Sequence, residues 1–142
     1  MKTNTNSNIS TDGPVTSHRY ECIMLVDDNS IDNFINKQLM ESCGFAGEVM
    51  VCQSAKEGLQ HLMTGKNLPQ VIFLDINMPE MTGFDFLEAM MQLPEIVKHH
   101  CRVIMLSTSE SFKDLNRANK NQFVRKFLNK PLTVEILAAI KV

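Results

Sequence analysis

Short apolar runs alternate with longer amphipathic segments along most of this chain, and this alternation restricts the fold more than any other feature of the sequence. Several of the runs are rich in Val, Ile and Phe, which is typical of strands buried on both faces of a parallel sheet. The pattern predicts five strands, at residues 22–26, 48–52, 71–74, 102–106 and 123–128.

The segments between the runs carry apolar residues at helical spacing. They predict five helices, at residues 30–42, 55–64, 84–92, 111–119 and 133–142. Strict alternation of strands and helices implies an α/β fold, a doubly wound five-stranded parallel sheet with right-handed crossovers. We expect the strand order 2-1-3-4-5, which makes strands one and three neighbours.

The first predicted helix has one apolar stripe. Ile31, Ile35 and Leu39 share a face of its helical wheel, and we expect this stripe to pack on the sheet. The remaining surface then points outward and carries Asn33, Phe34, Lys37 and Gln38. The outward Phe34 is either an ordinary surface residue or an aromatic anchor for a protein partner.

Composition indicates one globular domain preceded by a polar tail. The chain has 142 residues and 44% hydrophobic residues, so it can bury a core without disulfides or a structural metal. Residues 1–19 are mostly polar and cannot offset their own ordering entropy, so we expect a flexible tail there and one domain at 20–142. The four cysteines form no Cys-x-x-Cys pair, and we interpret them as reduced core thiols.

Charge and hydropathy exclude several function classes. A net charge of −2 argues against a nucleic acid as the main ligand. No apolar run approaches the ~18 residues of a membrane span, and the start of the chain lacks the apolar core of a signal peptide. We therefore expect a cytoplasmic protein with no nucleic-acid partner and no membrane partner.

Three carboxylates follow two strands that the predicted order makes neighbours. Asp27 and Asp28 come directly after strand one, and Asp75 follows strand three. Taken singly, each could be a helix-start or loop residue. Together, three like charges would raise one another's pKa unless a cation were present, and an all-oxygen site with several waters favours Mg²⁺.

Two further strand ends supply complementary groups to the same edge. Ser107 follows strand four and Lys130 follows strand five. A hydroxyl at a strand end is more often a simple cap, and a lysine is more often a solvated surface residue. Beside the carboxylates, however, they complete the groups that a phosphoryl group on a carboxylate requires: a nucleophile, a metal and hydrogen-bond donors.

These residues resemble the receiver domain of two-component response regulators, and the resemblance covers nearly all of residues 20–142. A receiver has a flavodoxin-like fold. The matching motifs are the acidic pair after strand one, the segment LDINMPEMTGF at 74–84, the serine after strand four and the Lys-Pro pair after strand five: Asp27, Asp28, Asp75, Ser107, Lys130 and Pro131.

The resemblance implies a role for each acidic residue. Asp75 would accept a phosphoryl group from a phosphohistidine of a partner. Asp28 would bind Mg²⁺ directly, Asp75 would also be a metal ligand, Asp27 would bind the ion through water, and Asn77 would bind it through its backbone carbonyl.

The resemblance also implies a switch. Ser107 and Lys130 would pair with phosphoryl oxygens, and Phe127 would be the aromatic residue whose rotamer follows Ser107. The peptide bond between Lys130 and Pro131 would be cis, since proline lowers the cis penalty to ~1 kcal/mol. This chain departs from the family in having Thr108 where a smaller residue is usual and Phe127 where tyrosine is usual.

By this resemblance we expect a stand-alone response regulator, a monomer or weak dimer that signals to a downstream protein target. Its phosphodonor would be a sensor histidine kinase or a histidine phosphotransfer protein, and its only catalysis would be self-phosphorylation and autodephosphorylation. A phosphorelay intermediate remains open, and so does a degenerate receiver that acts only in binding. A flavodoxin-type protein is disfavoured because Asp27 and Asp28 would repel a flavin phosphate, and an aspartyl phosphohydrolase because the pair is adjacent, not Asp-x-Asp.

Overall fold

The computed structural model describes residues 17–108 and 112–142. The predicted tail at 1–19 lies outside the described residues except for 17–19, and so does the predicted start of the fourth helix at Ser111. Within the described part, no helix is long and apolar enough to cross a membrane.

Five parallel strands form one sheet in the order β2-β1-β3-β4-β5, as predicted. The strands are β1 (Tyr20–Val26), β2 (Ala46–Cys52), β3 (Val71–Asp75), β4 (Arg102–Ser107) and β5 (Val124–Asn129). The three central strands are almost wholly buried, because helices cover both faces of the sheet.

The described residues form six helices, one more than predicted: α1 (Ser30–Ser42), α2 (Ala55–Met63), α3 (Gly83–Met90), α4 (Glu95–His100), α5 (Phe112–Asn119) and α6 (Val134–Ala139). The additional helix, α4, has six residues and begins after Pro94, which serves as its N-cap. Its only buried residue is Val97. So short a helix has no apolar period to detect, which is why the sequence did not predict it.

The two faces of the sheet carry separate apolar clusters. Leu62 of α2, Leu87 of α3 and Val97 of α4 pack on one face. Met40 of α1 and Leu137 of α6 pack on the other. The expected doubly wound arrangement is confirmed, and it leaves the carboxyl ends of the strands open between the two helical layers.

The packing face of α1 differs from the prediction. Ile31 and Ile35 are 68% and 55% exposed, whereas Asn33, Asn36 and Met40 are the buried residues of the helix. Asn33 is buried because its Nδ2 donates a hydrogen bond to the backbone oxygen of Asp27 at 2.8 Å. An amide with such a partner can face the sheet. The predicted stripe is therefore wrong for Ile31 and Ile35, whereas Leu39 is partly buried and packs on the core as predicted.

The outward residues of α1 are predicted correctly in part. Phe34 is 64% exposed, and Gln38 is exposed as well. Lys37 is half-buried, and Asn33 faces inward.

All four cysteines are free thiols, of which three are buried and one is exposed. Burial raises the pKa of Cys22 and Cys52 to about 11, which keeps these thiols protonated near neutrality. Cys43 is exposed at the C-cap of α1, so the interpretation as a core thiol is wrong for this residue.

Candidate functional site

An open cleft of about 490 Å³ lies at the carboxyl edge of the sheet. It opens where the strand order reverses, between β1 and β3, the usual position of ligand sites in such sheets. Its lining brings together five of the residues that the sequence singled out: Asp27, Asp28, Asp75, Asn77 and Lys130.

The start of α1 fixes the acidic pair. Asp27 follows β1 directly, and its backbone nitrogen continues the ladder by donating to the carbonyl of Cys52 at 3.1 Å. Asn29 is the N-cap of α1, and its own backbone nitrogen donates to Oδ1 of Asp27 at 2.9 Å. Asp27 is only 4% exposed as a result, whereas Asp28 faces solvent.

Asp75 is the last residue of β3 and is 6% exposed. Ile76 holds the strand end in the sheet by donating its backbone N–H to the carbonyl of Leu106 at 3.1 Å. Gly83, the first residue of α3, donates to the carbonyl of Ile76 at 2.8 Å. This hydrogen bond joins the two ends of the loop between β3 and α3. The closed loop holds Asp75 in place.

Lys130 reaches the acidic cluster from the end of β5. Its backbone nitrogen donates to the carbonyl of Ser107 at 2.9 Å, and its bond to Pro131 is cis, as expected. Its ammonium lies 2.7 Å from Oδ2 of Asp27 and 3.5 Å from Oδ1 of Asp75.

The predicted switch residues lie deeper in the sheet. Ser107 ends β4 and is fully buried, while Thr108, the next residue, lines the cleft. Phe127 lies on the neighbouring strand opposite Met105 and is half-buried against the core. Ser107 and Phe127 therefore lie on adjacent strands, with Phe127 two residues before Asn129, the residue that pairs with Ser107.

Burial and crowding leave the site with unbalanced negative charge. Burial and the neighbouring carboxylate of Asp27 raise the pKa of Asp75 to about 6, against the opposing charge of Lys130. Burial alone would lower the pKa of Lys130, but its hydrogen bond to Asp27 and the charge of Asp75 raise it above the usual range. The ammonium therefore stays charged, and among the described residues that line the cleft it is the single cation beside several carboxylates.

The donor set fits a hard divalent cation. Asp27, Asp28 and Asp75 each offer a carboxylate oxygen, and these oxygens all lie within 4.8 Å of one another. Asn77 lines the same cleft and can add a carbonyl oxygen. Mg²⁺ prefers such all-oxygen sites and retains several of its own waters, for which the open cleft leaves room.

An acidic residue of the cleft, Asp32, was not predicted from the sequence to belong to the site. Asp32, in the first turn of α1, places Oδ2 3.2 Å from the Lys130 ammonium. Its place four residues after Asp28 was the available signal, because the first turn of a helix that follows β1 lies at the carboxyl edge of the sheet.

Comparison with known proteins gives a consistent result. Residues 23–141 match the family model of the response regulator receiver domain. The probable methanogenesis regulatory protein FilR2 of Methanothrix harundinacea is 31% identical over 119 residues, which are 81% of this chain and 75% of that protein. For several other curated relatives the matched segment is less than a quarter of their length.

Solved structures agree with the curated relatives. A two-component response regulator from Cytophaga hutchinsonii aligns with a TM-score of 0.78 at 26% identity, covering 85% of this chain and 93% of that chain. A response regulator receiver protein from Dyadobacter fermentans aligns with a TM-score of 0.75 at 32% identity, covering 82% and 91%.

Proposed function

This chain belongs to the response regulator receiver family, whose members are phospho-acceptors of two-component signalling, and from that premise we propose that it accepts a phosphoryl group on Asp75. The donor is a histidine kinase or a histidine phosphotransfer protein, and the reaction depends on Mg²⁺. One observation carries the proposal: Asp75 is the nearly buried carboxylate at the end of β3 that shares one cleft with Asp27, Asp28 and Lys130.

The transfer is a substitution at phosphorus. A carboxylate oxygen of Asp75 bonds to phosphorus while the bond from phosphorus to the donor imidazole nitrogen breaks. The nitrogen keeps the electron pair and takes up a proton, and an acyl phosphate remains on the protein. Asp28, Asp75 and the Asn77 carbonyl would hold Mg²⁺, with Asp27 holding it through water, and the bound ion would supply positive charge for the phosphoryl oxygens.

The protein's own groups act on the remaining phosphoryl charge. Lys130 already lies 3.5 Å from Asp75, and it pairs with a phosphoryl oxygen once the group is transferred. The Ser107 hydroxyl donates to another oxygen, and Phe127 follows it on the adjacent strand. Phosphorylation then shifts the region from β4 to β5 from one packing arrangement to another. A protein partner recognises the changed surface.

The shared cleft favours a working receiver over one used only for binding. A receiver that never accepts phosphoryl has no need to hold three carboxylates and an ammonium together at the cost of mutual repulsion. Here that arrangement is held by specific hydrogen bonds, including those of Asn29 and Lys130 to Asp27.

The metal ligands can be tested at Asp28, because this residue is exposed and its replacement leaves the core intact. We expect Asp28→Ala to weaken Mg²⁺ binding by about tenfold or more and to reduce phosphoryl labelling with it, since a ligand is lost. Titration calorimetry with Mg²⁺ measures the first effect. In magnesium-free buffer the variant should be slightly more stable than the parent, because Asp28 repels Asp75.

Glu41→Ala is the matched control, since Glu41 is an exposed acid in the last turn of α1, away from the cleft. It should bind Mg²⁺ like the parent. An unchanged Mg²⁺ titration for Asp28→Ala would contradict the proposed ligand role.

The protein donor is proposed to dock on α1. A donor imidazole must approach Asp75 through the cleft, whose rim includes Ile31. Ile31, Phe34 and Ile35 are all more than half exposed, so the donor meets an apolar helix surface there. We expect Phe34→Ala to slow phosphotransfer from the cognate protein donor by about tenfold, as loss of an aromatic anchor does, and to leave labelling by acetyl phosphate unchanged.

The control for this prediction is Ile96→Ala. Ile96 is 60% exposed on α4, which packs on the opposite face of the sheet from α1. We expect Ile96→Ala to accept the phosphoryl group from both donors at the parent rate. Equal loss with both donors in Phe34→Ala would indicate misfolding, and no loss with either would make Phe34 an ordinary surface residue.

A further inference from the structure

Asp32 contacts Lys130, the one cation in the described part of the cleft lining, and has no part in the proposed phosphoryl transfer. The Lys130 ammonium lies 2.7 Å from Asp27, 3.2 Å from Asp32 and 3.5 Å from Asp75. An ammonium has three hydrogens to donate, and 3.5 Å is beyond the usual length of a hydrogen bond. Asp32 therefore accepts a hydrogen bond from Lys130, whereas Asp75 lies beyond hydrogen-bond length.

The start of α3 shows what an aspartate at the same helical position ordinarily does. Asp85 is the third residue of α3, as Asp32 is of α1. In α3, Oδ2 of Asp85 accepts from the backbone nitrogen of the N-cap Thr82 at 3.0 Å, which closes a capping box. The carboxylate of Asp85 thus has an ordinary structural role as part of a helix cap.

In α1 the corresponding capping bond is made by another residue. The backbone nitrogen of the N-cap Asn29 donates to Asp27. The Asn29 side chain accepts from the backbone nitrogens of Ile31 and Asp32, each at 3.0 Å. The cap is complete without the Asp32 carboxylate, which turns to Lys130 instead.

The contact between Asp32 and Lys130 is partly shielded from solvent. The Lys130 side chain is 11% exposed and that of Asp32 is 36% exposed. A phosphoryl group on Asp75 adds further negative charge beside this ammonium. Asp27 and Asp32 take two of the three ammonium hydrogens, and Asp75 lies beyond hydrogen-bond length at 3.5 Å. To pair closely with a phosphoryl oxygen on Asp75, the ammonium must move toward it, which loosens the contact with Asp32, the farther of its two hydrogen-bonded partners.

We propose that Asp32 is a positioning residue that holds the Lys130 ammonium toward α1 in the unmodified protein and competes for it with the phosphoryl group on Asp75. This inference rests on the proposed function, since the competition exists only if Asp75 is the acceptor. Its effect is to slow phosphoryl acceptance and to make the release of Asp32 by Lys130 a part of the response.

The kinetic test uses Asp32→Asn with acetyl phosphate and Mg²⁺. With a neutral amide oxygen in place of the Asp32 carboxylate, Lys130 is held less strongly and should pair more readily with the incoming phosphoryl group, and labelling should be about two- to fivefold faster, as expected for a partly exposed ion pair. Asp32→Glu keeps the charge and should label at close to the parent rate. Mg²⁺ affinity should be unchanged in both variants, because Asp32 is outside the carboxylate cluster.

Asp85→Asn is the matched control, because it changes the same helical position with no lysine partner. It weakens the capping box, because a neutral amide oxygen replaces the carboxylate as acceptor for the Thr82 backbone N–H, and it should unfold at a lower temperature, but it should label at the parent rate. Labelling of Asp32→Asn at or below the parent rate would overturn the proposal.

A spectroscopic readout separates competition for Lys130 from simple repulsion of an anionic donor. In protein labelled with ¹³C at aspartate carboxyl carbons, the Asp32 signal is identified by its absence from Asp32→Asn. Adding beryllofluoride with Mg²⁺ to mimic the phosphoryl group should shift this signal as Lys130 leaves. A stationary Asp32 signal in protein that binds beryllofluoride would overturn the proposal. Failure of the parent to label at Asp75 would instead overturn the proposed function.

Discussion

Replacement of Asp75 by asparagine should abolish phosphoryl labelling by both small donors and protein donors. An amide has nearly the shape of the carboxylate but cannot supply the anionic oxygen that attacks phosphorus. The expected loss is complete within detection, because each of the other carboxylates in the cleft is engaged elsewhere or exposed. Asp27 accepts hydrogen bonds from Asn29 and Lys130, and Asp28 faces solvent.

The fold of this variant should survive. Burial and the Asp27 carboxylate both oppose charge on Asp75, and Lys130 retains Asp27 and Asp32 when Asp75 is neutral. We therefore expect Asp75→Asn to unfold at the same or a higher denaturant concentration in magnesium-free buffer. Radioactive or mass-spectrometric labelling measures the activity, and full labelling of the folded variant at a native site would mean that another residue is the acceptor.

Replacement of Gly83 by alanine should damage both stability and labelling, although Gly83 carries no chemistry. A Cβ at this position would lie 2.6 Å from the backbone oxygen of Asp75 and 3.0 Å from Cα of Ile76. Both neighbours are backbone atoms where β3 ends and the loop to α3 begins, so the backbone at Asp75 and Ile76 must shift. We expect the free energy of unfolding to fall by about 3 kcal/mol and labelling to slow by about tenfold or more as Asp75 is displaced.

Gly58→Ala is the matched control within the same fold. A Cβ there would meet side-chain atoms only, of Phe86 at 3.1 Å and Val26 at 3.3 Å. These side chains can adjust, and alanine favours the helix, so we expect a change in stability within about 1 kcal/mol and normal labelling. If Gly83→Ala labels at the rate of Gly58→Ala, the close approach of α3 does not position Asp75.

The architecture and the acidic cluster could be predicted because both follow from strand placement. Buried strands appear as uninterrupted apolar runs, and alternation with helices permits few topologies. Once strands one and three are neighbours, the residues after them must meet at one edge. Asp27, Asp28 and Asp75 meet there for that reason, and Lys130 follows from the end of strand five.

Features that depend on individual side-chain partners could not be predicted. The burial of Asn33 depends on one hydrogen bond to the backbone after β1, and it turns the packing face of α1 away from Ile31 and Ile35. Asp32 looks like an ordinary residue of a first helical turn until the bond between Asn29 and Asp27 is known. The close approach of Gly83 to Asp75 is a tertiary contact that no local pattern reveals.

Direct identification of the acceptor tests the central claim. The parent protein is labelled with acetyl phosphate and Mg²⁺ and then treated with borohydride, which reduces an aspartyl phosphate to homoserine and releases phosphate. Peptide sequencing by mass spectrometry locates the product. We predict homoserine at position 75, only after treatment with both donor and metal. Homoserine at position 27 or 28, or none in protein shown to have taken up phosphoryl, would contradict the assignment of Asp75.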